Sequence, residues 1–214
     1  MRTFSIMIMS LLLINAVIAQ KQPKSSTNTQ VNKPVVQNLV ELIPLPVDSF
    51  IDSRDNRLYH TVKIGKTWWM SDNLAYKNEK DCWCYFKTDS ICSSGRFYTL
   101  EVSKNLCPDG WSFPDSNDFI NIISFYGKDM EKTYQQFNVA STKTFNALKL
   151  GYYWPMLGDI SGKQKYARYW SSSIYQGEKK KYCYFEVYGP LKIVRLQYTD
   201  NNTVGYNVRC IKKE

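Results

Sequence analysis

An α+β domain with two helices, an antiparallel sheet and long irregular loops, stabilised by disulfides, is what the sequence predicts for residues 48–214. Three observations predict it. Helical stripes come early, strand-like alternation comes late, and six cysteines all fall within this stretch. Runs of helix and runs of strand that do not interleave mark α+β rather than α/β.

The chain opens with Arg2, then an apolar stretch from Phe4 to Ile14 and the small-residue end Val17-Ile18-Ala19. This is the form of a secretory signal, and cleavage after Ala19 is expected. A lipid anchor would need a cysteine at that point, but the first is Cys82. Residues 20–47 read as a tether. Gln20 to Asn38 is polar and lacks aromatic residues, so burial cannot offset its ordering entropy. Leu39 to Val47 is apolar but broken by Pro44 and Pro46, which suits an extended strap lying on the domain that follows.

Within the domain, Tyr59, Thr61 and Lys63 alternate with His60, Val62 and Ile64 behind a turn at Asp55-Asn56, the pattern of a hairpin. A short helix is predicted over Thr99 to Leu106, stopped by Cys107-Pro108. Asp115 or Ser116 caps a second, whose Phe119, Ile120, Ile122, Ile123 and Tyr126 form a stripe ended by Gly127. Lys181 to Tyr188, Lys192 to Tyr198 and Val204 to Lys212 are strand candidates for a closing meander.

An even number of cysteines in an exported chain points to disulfides, with about fifteen pairings open. Cys82-Trp83-Cys84 does not suit zinc, whose structural sites use two to four intervening residues and a second matching pair. Cys84 and Cys92 bracket a short polar stretch that can close as a local loop. Cys107 and Cys210 stand far apart, and a bridge there would close a loop worth roughly 4 to 5 kcal/mol.

The ordered segments Phe50-Ile51-Asp52-Ser53-Arg54-Asp55, Trp69-Met70-Ser71-Asp72-Asn73-Leu74, Gly95-Arg96-Phe97-Tyr98-Thr99, Cys107-Pro108-Asp109-Gly110-Trp111-Ser112-Phe113-Pro114, Tyr169-Trp170-Ser171-Ser172 and Gly205-Tyr206-Asn207-Val208-Arg209-Cys210 carry a resemblance. Over Phe50 to Cys210 the chain resembles the Fibrobacter succinogenes major paralogous domain, whose members look like variants of the C-type-lectin-like and formylglycine-generating-enzyme-like fold. The resemblance implies a C-type-lectin-like fold and the pairs Cys84 with Cys92 and Cys107 with Cys210. Cys82 and Cys183 stand outside the family pattern and are expected to pair with each other.

The resemblance does not bring a ligand with it. The Glu-Pro-Asn loop and Trp-Asn-Asp strand end of calcium-dependent lectins are missing; Thr203-Val204-Gly205-Tyr206-Asn207 stands in the latter place. A calcium site needs six to eight converging oxygens, whereas the acids here are dispersed, so no metal and no cofactor is expected. Asp52-Ser53-Arg54-Asp55 reads as a hairpin turn. With every cysteine assigned to a bridge, no thiol is left for formylglycine-type oxidation. His60, the single histidine, has no orienting partner legible in the sequence, and Asp115 and Asp118 are explained as helix-start residues. No catalytic residue is therefore predicted.

Recognition is the remaining expectation. Sixteen Tyr, ten Phe and six Trp exceed the needs of one modest core, and aromatic rings stack well on sugar faces and peptides. Trp69, Trp111 and Trp170 are assigned to packing. Tyr152, Tyr153 and Trp154, in the long irregular segment, are the candidate ligand contacts, and Tyr182, Tyr184 and Tyr188 alternate as a recognition surface does. The net charge of +9, with Lys179-Lys180-Lys181 as a local cluster, favours anionic partners such as acidic polysaccharide or a phosphate-bearing cell envelope, so a glycan or an anionic envelope polymer is the expected partner. A surface protein is the other partner class. Nucleic acid is disfavoured, because the chain is exported and shows no nucleic-acid motif.

Overall fold

The computed structural model describes residues 41–87 and 92–214. The expected signal peptide, and the part of the expected tether before Glu41, lie outside the described residues. Residues 41–46 are not a free tether but the predicted strap. Ile43 N–H donates to Gln136 Oε1 (3.2 Å), Gln136 Nε2 returns a bond to Glu41 O (3.2 Å), and Lys63 N–H donates to Pro46 O (2.9 Å). Leu45 packs on the main core behind them. Proline at 44 and 46 removes donors that a strap held by so few bonds does not use.

The first sheet has the order β1-β2-β3-β11, all antiparallel, from β1 (Val47–Asp52), β2 (Arg57–Ile64), β3 (Thr67–Met70) and β11 (Ile211–Lys213). The predicted hairpin is β1–β2. Its turn is fixed by Asp52, whose carboxylate is 1 % exposed and takes Arg54 Nε (2.9 Å) and Nη2 (2.6 Å), while Asn56 supplies the positive φ. Thus Asp52-Ser53-Arg54-Asp55 is a turn, as expected. β4 (Cys82–Cys84) pairs with β5 (Arg96–Tyr98), and β6 (Tyr152–Trp154) pairs with β7 (Asp159–Ser161). The last sheet is β10-β9-β8, from β8 (Tyr166–Gln176), β9 (Lys180–Tyr188) and β10 (Ile193–Thr199).

Among the described residues there are three helices, not two. α1 (Leu100–Ser103) is shorter than predicted. α2 (Ser116–Phe125) starts at Asp115, which accepts from Asn117 and Asp118 N–H while Asp118 reaches back to the Asp115 N–H, a reciprocal cap. α3 (Met130–Phe137) escaped the sequence reading because its stripe is thin: only Tyr134 and Phe137, beside Thr133 and Gln136, turn inward from the Asp129 cap.

The three-stranded meander is β8-β9-β10, and Val204 to Lys212 is not its last strand. That segment is buried on every side from Val204 to Ile211, so it threads between elements instead of forming an edge. Single bridges tie Gly205 to Tyr153, Tyr206 to Tyr98 and Asn207 to Tyr169 before β11 closes the first sheet. β8 took the place assigned to it. Ser171-Ser172-Ser173 forms the irregularity between Trp170 and Ile174 inside this long strand.

The main core lies between the two large sheets and α2 and α3: Val62, Trp69, Phe119, Phe137, Phe145, Tyr169, Phe185 and Ile211 are fully buried in it, with Phe119 stacked on Phe185 at 4.7 Å. Each such side chain contributes about 2 to 3 kcal/mol by leaving water. A second group gathers Tyr59, Met70, Leu74, Tyr98 and Val208, with Phe50 and Trp111 at its rim. Trp69 and Trp170 are packing residues, as assigned; Trp111 is only partly buried, stacked on Phe50 at 4.6 Å.

Cys84 is bonded to Cys92, and Cys107 to Cys210. Cys82 and Cys183 are free, contrary to the expected third bridge. They belong to different sheets. Cys82 donates to Asn78 O (3.2 Å) beside the second core group, while Cys183 is buried on β9 against Ser171 and Tyr198. Burial pushes the Cys183 thiol up to about 11. Among the described residues no helix is long and apolar enough to cross a membrane.

Candidate functional site

β6 carries all three candidate contacts, and strand alternation divides them. Tyr153 points to one side, where it stacks on Trp83 (4.1 Å, 13°). Tyr152 and Trp154 point to the other, into a third aromatic group with Leu100, Trp170, Tyr184, Val204 and Tyr206. The three residues therefore do not form one contact surface.

Gly205 is what lets Trp83 and Tyr153 meet. Its backbone exchanges two hydrogen bonds with Tyr153 (2.8 and 2.9 Å), and a Cβ there would stand 2.9 Å from Tyr153 Cβ and 3.1 Å from Trp83 Cε3. Any side chain would push the stack apart. Trp83 and Tyr153 line a cleft of about 360 Å³ between β4 and the β6–β7 hairpin, together with Tyr85, Lys87, Arg96 and Asp159. Lys163 stands 6.0 Å from the Tyr85 ring and 3.8 Å from Asp159, so cation, carboxylate and aromatic faces meet at this mouth.

Arg96 also lines a second cleft of about 590 Å³ with Arg54, Asp55, Arg57, Tyr76 and Lys77. The Arg54 guanidinium lies over the Tyr76 ring at 4.1 Å while its own bonds go to Asp52 and Leu106 O. The two clefts adjoin at Arg96.

On the opposite side of β6, one face of the last sheet holds Tyr182, Tyr184 and Tyr188, with Tyr184 buried in the third aromatic group and Tyr182 and Tyr188 half-buried. At its centre Arg168 sits between the rings of Tyr166 (4.2 Å) and Tyr152 (4.4 Å), with Tyr184 and Tyr206 at 5.2 and 5.6 Å. Glu186, 1 % exposed, accepts from Arg168 Nε (2.7 Å) and from Arg195 Nε and Nη2 (3.1 and 2.9 Å). A carboxylate so enclosed is tolerable because two guanidiniums answer it. Burial drives the Tyr206 phenol far above its ordinary value, so it stays neutral beside Arg168. The sequence reading missed Arg168, Glu186 and Arg195. Arg168, Glu186 and Arg195 occupy one cross-strand row, and that row was not legible because pairing register is not written in the sequence.

His60 does have a carboxylate neighbour: Nδ1 lies 2.8 Å from Asp72 Oδ2. The same oxygen accepts the His60 backbone N–H (2.8 Å), so Asp72 ties β2 to the end of β3. Ser49 is the cross-strand partner of His60, and no hydrogen bond joins the two side chains among the described residues. Among the described residues no three His, Cys, Asp or Glu side chains converge as a metal site would require.

Antiparallel sheets, three short helices, two disulfides and aromatic clefts built on strand ends define a disulfide-bonded α+β domain. More particularly, the chain belongs to the Fibrobacter succinogenes major domain family, whose model matches residues 62–212. The match begins inside β2, and β1 and the strap complete the same body from before it. No curated protein and no solved structure matches the chain.

Proposed function

We propose that this chain is a secreted, non-catalytic binding module on a C-type-lectin-like variant of the α+β fold, recognising glycan or another cell-envelope component. The observation that carries this reading is the cleft beside the stacked Trp83 and Tyr153. It combines an aromatic wall with Lys87, Arg96 and Asp159, the pairing of apolar face and oriented polar groups that a sugar ring needs. Two disulfides accord with an oxidising, extracytoplasmic compartment. The joined ends of the domain, with β11 returning to β3, support the lectin-like arrangement. The cationic balance favours envelope polymers over neutral cytosolic ligands.

Glycan-array binding tests the reading. Trp83→Ala and Tyr153→Ala are expected to abolish a signal of the native chain with the fold retained. Binding that survives both substitutions would refute the site.

The Arg168 face supports a second reading, a structural or adhesive surface protein that binds another protein. Tyr, Trp and Arg are the residues protein interfaces concentrate, and Tyr152, Trp154, Tyr166, Tyr182, Tyr188 and Arg195 are only partly covered there. A protein partner lost on Tyr182→Ala with Arg195→Ala, in a chain without sugar affinity, would favour this reading over the first.

A further inference from the structure

Arg96 is a nearly buried cation, 8 % exposed, with few partners of its own. Nε donates to Ala75 O (2.8 Å) and Nη1 reaches Cys84 Sγ (3.3 Å); Nη2 makes no hydrogen bond, and no carboxylate lies within ion-pairing distance, among the described residues. The other enclosed arginines are answered. Arg54 has Asp52, Arg168 has Glu186, and Arg209 has four oxygen acceptors spread over all three nitrogens. Unlike Arg209, whose nitrogens are all engaged, Arg96 keeps Nη2 uncommitted among the described residues, and that edge can take an acceptor supplied from outside.

The position of Arg96 points the same way. It is the wall common to both clefts, and apart from Arg54, which is paired with Asp52, the charged lining is Arg57, Lys77 and Lys87 with Asp55 and Asp159. Asp159 is already drawn to Lys163. Positive charge along low-dielectric walls concentrates anions there.

We propose that the two clefts form one binding groove for an acidic polysaccharide, with Arg96 receiving the carboxylate of a sugar whose ring lies against Trp83 and Tyr153. This rests on the glycan reading above and adds the ligand's charge and the residue that reads it. A planar guanidinium with an uncommitted edge matches a carboxylate in a way that an ammonium does not.

The test is titration calorimetry of the purified chain with polygalacturonate, with its fully methyl-esterified form and with polyphosphate. The native chain is expected to bind polygalacturonate at least about tenfold more tightly than the ester, a difference of about 1.4 kcal/mol. Arg96→Gln is expected to erase that preference, with Arg96→Lys retaining only part of it. Should Arg96→Gln fail to fold, Lys77→Gln with Lys87→Gln, both at the cleft rims, is expected to reduce the preference at least about threefold. Equal affinity for the acid and the ester overturns the proposal. So does polyphosphate binding as tightly as polygalacturonate and indifferent to Trp83→Ala, which would mark an unspecific cationic field. A neutral glycan bound through Trp83 and Tyr153, with neither pectic form bound, sinks the acidic ligand but leaves the glycan reading standing; no binding to any glycan removes both.

Discussion

Arg209 Nε donates to Asn73 Oδ1 at 2.7 Å, joining the last segment of the chain to the end of β3 across 136 positions of sequence. The same guanidinium donates to Met70 O (2.7 Å), Phe145 O (2.9 Å) and Asn146 O (2.8 Å), while Phe145 and Tyr169 flank it with their rings. One fully buried side chain thus satisfies carbonyls from two separate segments that make no ladder with each other. It sits one residue before the Cys107–Cys210 bridge, so covalent and polar ties close the domain at the same place.

Arg209→Met should leave three buried carbonyls and the Asn73 amide oxygen without a donor. A loss of about 3 to 5 kcal/mol is expected in urea unfolding. Arg209→Lys should recover part of this only, because a single ammonium cannot span acceptors placed for a fork. A midpoint unchanged by Arg209→Met would show that the network is not a structural tie.

Two thiols should be found per oxidised chain after unfolding in guanidinium, and none if Cys82 and Cys183 are bridged. In the folded chain at pH 8, iodoacetamide should modify Cys82 before Cys183. Burial shuts out the reagent at Cys183 and raises its thiol to about 11, which keeps the reactive thiolate scarce. Mass mapping of the labelled peptides gives the order directly.

Acid should act on the β1–β2 turn. Burial alone would raise the Asp52 pKa, but the bonds from the Arg54 side chain and backbone outweigh it and the folded value falls below the ordinary 3.8. The carboxylate therefore contributes stability that is fully present above 3.8 and is lost as pH falls through the folded value. Asp52→Asn should be less stable than the native chain at neutral pH, with the gap closing toward pH 2. Chemical denaturation between about pH 5 and 2 measures it; a gap that widens in acid would contradict the sign.

Gly205→Ala should disturb the cleft without unfolding the domain. The added methyl meets Tyr153 and Trp83 at the place where they stack, so the near-ultraviolet dichroism of the aromatic residues should change. Glycan affinity should fall with it. An unchanged spectrum together with unchanged affinity would show that the stack does not need this glycine.

Much of the local structure was legible along the chain. The cap at Asp115, the stop at Gly127, the β1–β2 turn and β9 depend on neighbours within a few positions, and short-range chemistry specifies them. α3 and β8 were not legible. α3 is too polar to announce its face, and β8 is interrupted by three serines without ladder partners, so its two halves become one strand only because β9 lies alongside both. In the candidate site, Tyr153 was found but Trp83 was assigned no contact, since 70 positions separate two rings that stack at 4.1 Å.

By itself the amino-acid sequence determined the α+β class, the family and the two bridges that resemblance implied, because these follow from residue types at short, ordered spacings. Tertiary structure alone decided which of three consecutive aromatic residues faces a cleft, which cysteines stay free, and which enclosed arginine keeps a nitrogen uncommitted among the described residues. Those properties depend on register and on what packs across from each side chain, and a one-residue change of register would exchange the two faces of β6.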